Sequence, residues 1–214
     1  MRLGRIFLAL AISVSLDATI IDRIAIVIRD GIIKDSDIDR DIRVVDFLNQ
    51  EKLTFDDDAR RTAANRLIDQ SLIQREIQVG EYRTATDADA EHLLEKTQKE
   101  RHQSPALFAT ALSKYGLTRE QLKGYLRWQL TVLRFIDERF RPSIQVTDEE
   151  VQQYYRDHAS EFRSASTGQT RTLDDAWQDI RNTLTEQRVN KQFDAWLQAR
   201  RKSANVEYRE ESLK

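Results

Sequence analysis

Cysteine is absent from this 214-residue chain, and it holds only 2 prolines and 6 glycines. Without thiols there is no disulfide, no thiolate nucleophile and no cysteine-ligated zinc. So few chain-breaking residues exclude a loop-rich or all-β protein and leave a mainly helical one. Neither sign of charge dominates, since 34 basic and 36 acidic residues give a net charge of −2. The charges are interspersed along the chain, with no basic block to neutralise phosphates, so electrostatics imply no nucleic-acid partner.

Catalytic patterns are missing as well. The three histidines, His92, His102 and His158, have no HExxH or HxH spacing, and each reads as a solvated surface residue. There is no GxSxG elbow and no glycine-rich phosphate loop. Carboxylates are many, but they sit beside cations on helix faces, as in Glu95 and Lys99, which is the spacing of a solvated pair. No catalytic residue, cofactor or metal site is expected.

One hydrophobic run stands apart. Arg2 and Arg5 precede an apolar or small-residue stretch from Ile6 to Leu16, and Asp17-Ala18 ends it. That order is the pattern of a secretory signal cut near Ser15 or Ala18. The run is too short for a bilayer, which takes about 20 residues. The expectation is an exported, periplasmic protein with no membrane span after the signal is removed.

The remaining chain reads as a short hairpin followed by helices. Ile24 to Lys34 alternates around Arg29-Asp30-Gly31 as a hairpin. Helix-start signals recur at Ser36-x-x-Asp39, Thr86-x-x-Asp89, Thr118-x-x-Gln121, Thr147-x-x-Glu150 and Thr172-x-x-Asp175. Asp56 to Asp58 opens another helix, and Ser104-Pro105 opens a short one that Gly116 ends. The segment from Thr147 to Phe162 reads as one helix, and Val206 to Tyr208 as a closing strand.

Two helices carry more information than the rest. After Thr118, Leu122, Leu126, Leu130, Leu133, Ile136 or Asp137, and Phe140 form one stripe, while Trp128, Val132 and Phe135 form a second. A helix apolar on two sides is either buried between layers or keeps one side for a partner. Trp128, Val132 and Phe135 are therefore the candidate client-binding residues. In the last helix the stripe Leu173, Trp177, Ile180, Leu184 breaks and resumes at Val189, Phe193 and Trp196. Either its halves meet different neighbours or the helix bends. The segment from Phe108 to Leu122 has the outline of a helix-turn-helix reader, with Arg119, Lys123 and Arg127 facing out. An export signal and a slightly acidic chain argue against DNA.

The order of these parts resembles a known family. Ile21 to Ile38, Arg66 to Ile73, Leu117 to Leu122, Val146 to Tyr155 and Phe193 to Gln198 are similar to successive segments of SurA-type periplasmic chaperones and their PpiC/parvulin relatives. The likeness covers most of residues 20–209. In that family a parvulin isomerase domain commonly follows the Tyr-Tyr helix. Here only the small polar stretch 163–171 separates Phe162 from Thr172, which leaves no room for one.

The resemblance implies a chaperone part alone: signal 1–18, chaperone domain 19–162, a linker at 163–171, and a C-terminal helix and strand (172–214) that complete the same domain. The expected fold is mainly α, with a small sheet built from the N-terminal hairpin and the C-terminal strand. The expected activity is ATP-independent binding of unfolded or extended exported polypeptides, outer-membrane proteins among them. Two rival readings are a prolyl isomerase relative and a structural subunit of an envelope complex. Oligomeric state stays open.

Overall fold

The computed structural model describes residues 22–29, 31–100, 104–163, 170–210 and 213. The signal (1–18), Asp30, His102 and the middle of the proposed linker lie outside the described residues. The chain forms a hairpin of β1 (Ile24–Ile28) and β2 (Gly31–Lys34), then helices α1 (Asp35–Asn49), α2 (Asp57–Val79), α3 (Asp87–Glu100) and α4 (Pro105–Lys114). Helix α5 (Arg119–Phe140) runs into a 3-10 turn at Arg141–Ser143, and α6 (Asp148–Asp157), α7 (Leu173–Ser203) and β3 (Val206–Tyr208) follow. The protein is mainly helical with one small antiparallel sheet.

The sheet order is β2-β1-β3, so the C-terminal strand pairs with the N-terminal hairpin. Ile26 faces Tyr208, Val27 faces Glu207 and Ile28 faces Val206. An isolated hairpin is marginal in water, and the third strand supplies the missing partner. Ala25, Ile26, Ile28 and Ile33 turn one face of the sheet onto Ile38, Ile42, Ala64 and Ile68 of α1 and α2, and Leu213 closes this core. The opposite face leaves Ile24 and Ile32 about half exposed, at 45% and 51%.

Side-chain caps set most helix starts. Thr118, Thr147 and Thr172 each accept from the backbone N–H three residues on, and Thr86 does the same from Asp89. Asp56 and Ser104 cap α2 and α4. Ser36 departs from this pattern. Its hydroxyl donates to Asp22 at 2.6 Å, so α1 starts earlier, from Lys34, whose N–H donates to Asp37. Helix α6 also ends sooner than expected, at Asp157, where the N–H of His158 donates to the Tyr154 carbonyl. Gly116 ends the turn after α4 at φ +64°, a left-handed conformation that favours glycine.

Three further apolar clusters organise the helices. Val44 and Phe47 of α1 meet Leu94 of α3, Phe108 and Leu112 of α4, and Leu122 and Leu126 of α5. Ile73 and Ile77 of α2 meet Phe135 and Phe140 of α5 and Val189 of α7. Val151 of α6 meets Ala176 and Ile180 of α7. The break in the stripe of α7 thus marks a change of neighbour: its first half packs on α6 and its second on α2 and α5.

Candidate functional site

Helix α5 changes its buried side along its length. Leu122 and Leu126 are buried toward α1, α3 and α4, Thr131 is buried where its hydroxyl accepts the Ala85 N–H just before α3, and Phe135 is buried toward α2 and α7. At about 100° per residue, Leu122 and Thr131 point in opposite directions. Leu133 comes back to the Leu122 side where that side has lost its neighbours, and it is 61% exposed. Assigning Leu133 to a continuous core stripe is therefore incorrect.

The second stripe is split in the same way. Phe135 is fully buried, at 0% exposure, and packs edge-on against Tyr82 and Phe140 and at a tilt against Trp196. It is a core residue, which corrects its assignment to a client-binding surface. Arg139 lies over Tyr82, Phe135, Phe140 and Trp196 and is held by Glu76 at 2.7 Å. Val132 is half-buried against the same cluster. Trp128 also leans on that cluster, but it lines an open groove as well.

The groove has a volume of about 800 Å³ and runs between β2, α1, α2 and the N-terminal half of α5. Gly31, Ile32 and Ile33 form one wall. Gln121, Gly124, Tyr125 and Trp128 form the α5 wall, which continues the face that Phe135 buries further along. Gln70, Ser71 and Gln74 of α2 also line it, with no side-chain hydrogen bond among the described residues.

Asp41 sits in the groove, nearly buried, and takes a two-pronged contact from Arg66 at 2.6 and 2.8 Å. Burial raises its pKa above the usual carboxylate value, against the opposing pull of Arg66. Burial likewise raises the Tyr125 phenol, and the nearby Asp41 charge adds to it. Asp37 pairs with Arg40 at 2.9 Å, while Glu120 on the rim has no cation beside it among the described residues.

Other sequence features fall elsewhere. Arg119 and Lys123 face Glu91, and Arg127 reaches Asp87 at 2.6 Å, so the cations of the helix-turn-helix outline meet the carboxylates of α3. His92 is exposed, and His158 stacks on Tyr154 with ring centroids 3.9 Å apart. No cluster of metal-binding side chains occurs among the described residues, and no described helix is long and apolar enough to cross a membrane.

Sequence reasoning found Trp128 but missed Gly124, Tyr125 and the β2 wall. Their signal was the small and amphipathic residues on the Trp128 side of α5, one turn before it. No family model matches this chain, and no curated protein matches it.

Proposed function

We propose that this is an exported, ATP-independent chaperone that holds unfolded or extended polypeptides without catalysing a reaction on them. The observation that carries this reading is the open groove, in which Trp128, Tyr125 and the half-exposed Ile32 offer apolar surface beside an edge strand. A contiguous apolar surface framed by polar side chains is what a protein-binding site requires. Affinity comes from burial at about 25 cal/mol per Å² of apolar surface, reduced by the cost of ordering the bound chain. The segment-by-segment resemblance to SurA-type chaperones supports the same reading, with the periplasm as the site of action and the leader removed.

The test is suppression of aggregation. The protein without its leader slows light scattering by a heat-unfolded client in the absence of ATP, and Trp128→Ala and Ile32→Asp weaken that effect while far-UV circular dichroism stays native. Undiminished suppression by both variants would move the site elsewhere, and no suppression by the parent would end the chaperone reading. A proline-peptide assay separates the isomerase alternative, which requires rate enhancement by the same preparation.

A further inference from the structure

Gly124 stands in the middle of α5, where glycine costs about 1 kcal/mol relative to alanine. Packing does not call for it. A methyl group built at that position meets nothing within 4 Å, and the backbone there is ordinary helix. Gly124 lines the groove, so the missing side chain leaves the helix backbone open to whatever lies there.

The opposite wall is a strand edge. β2 pairs with β1 on one side and with no strand on the other among the described residues. In the register Ile28–Gly31, Val27–Ile32, Ile26–Ile33, the tight hairpin bonds the first and third pairs. The N–H and C=O of Ile32 therefore point away from β1. On α2, Gln70 and Gln74 stand about 6 Å apart along the helix axis. That nearly equals the two-residue repeat of an extended chain, about 6.6 Å. Both amides are free among the described residues. The charge is one-sided: Arg66 holds Asp41 and Arg40 holds Asp37, which leaves Glu120 as the uncompensated carboxylate.

We infer that the groove takes an extended segment of another polypeptide as an added strand on β2, passing close to α5 at Gly124, with a lysine or arginine toward Glu120. This inference rests on the polypeptide-binding reading and specifies how the bound chain is held. Backbone hydrogen bonds to Ile32 give affinity independent of sequence, and the amides of α2 engage the outer edge of the same chain. Glu120 adds a preference for basic segments.

The experiment titrates the full chain with three labelled peptides, followed by fluorescence anisotropy. One alternates valine and threonine around a central lysine, the second carries N-methyl groups on alternate residues, and the third has glutamate for the lysine. A reduced, carboxymethylated, permanently unfolded protein serves as a separate probe. Loss of a backbone bond lowers affinity about tenfold, so the N-methylated peptide binds at least that much more weakly. The glutamate peptide also loses affinity, and Glu120→Lys restores it. Gly124→Ala raises the melting temperature yet weakens binding of the parent peptide, a combination that a purely structural glycine does not give. Equal binding of the parent and N-methylated peptides, with the unfolded protein still bound, overturns strand addition and leaves the chaperone reading intact. Failure to bind the unfolded protein overturns both.

Discussion

Phe135 and Trp128 share one face of α5 and differ only in what covers them. Phe135 lies under Tyr82, Phe140 and Trp196 with no exposed surface, so Phe135→Ala empties a cavity and destabilises by ~3–5 kcal/mol. Trp128 is half-buried, and Trp128→Ala costs roughly half as much. Urea melts of the two variants measure the difference, and equal losses would place Trp128 in the core beside Phe135. Hydrophobic periodicity made this face legible in the sequence. It could not say which part is covered, because an angle around a helix axis does not name the neighbour at that angle. Asp41 shows the same limit: as one of 36 acidic residues it carries no signal until Arg66 is folded against it. Burial holds the Asp41 pKa above its unfolded value, so the folded chain binds that proton more tightly. The contribution of this group to stability therefore falls as pH rises from the unfolded value through the folded one. Arg66→Met removes the counter-ion and moves the folded value higher still. The variant loses about 2–3 kcal/mol near neutral pH, below the full value for a buried pair because Arg66 is one-third exposed. That deficit shrinks on acidification as Asp41 takes up its proton. A deficit constant between pH 7 and pH 4 would show that the Arg66 contact is not electrostatic.

Elements were easiest to read where a local contact fixes them. Thr86, Thr118, Thr147 and Thr172 all cap helices, because each hydroxyl accepts the backbone N–H three residues on, and at the first three the side chain there accepts the threonine N–H in return, without help from the rest of the fold. Ser36 failed as a cap because Asp22, distant in sequence, takes its hydroxyl. The closing strand was legible from the alternation of Val206 and Tyr208, and its partner from the need of a lone hairpin for a third strand. The role of the residues beyond Tyr208 was not legible, because it depends on long-range contacts. Glu210 joins Asp35 and Asp39 around Arg60, at 3.2, 2.9 and 2.9 Å, and Leu213 inserts into the core under the sheet. Deleting residues 205–214 therefore removes a strand, the Glu210 arm of the ion cluster and a buried leucine together. The melting temperature falls by more than the roughly 4 °C that 1 kcal/mol is worth at this size, and ANS fluorescence rises as the sheet core opens. A shorter deletion beginning at Glu211 keeps the strand and the cluster and loses the buried leucine, so it gives the smaller drop. Equal melting of both truncations would mean that β3 adds nothing.

Across the described residues, the first and last strands meet in one sheet, and α7 spans the cores between. Its first half rests on α6 and its second on α2 and α5, with Arg201 pairing Asp69 at 2.7 Å. This arrangement makes the point between α6 and α7 special. Arg163 and Thr170 form an isolated antiparallel bridge, and the N–H of Arg171 donates to the Phe162 carbonyl at 2.9 Å. The chain thus leaves α6 and returns to α7 through neighbouring positions, and these contacts hold those positions. Closing a longer loop there costs little, about 0.6 kcal/mol for each doubling of length. The prediction is that a folded domain whose own termini lie close together can be inserted between Arg163 and Thr170 with the host fold intact. The chimaera keeps the host melting transition within a few degrees and the same suppression of client aggregation. The same domain inserted between α2 and α3, where Ala85 donates to the buried Thr131 hydroxyl at 3.0 Å, breaks a packed connection and lowers the transition sharply. Comparing the two chimaeras separates a general tolerance of insertion from a site built for it. Equal damage at both positions would show that the Arg163–Thr170 bridge does not hold the chain ends together independently of what joins them.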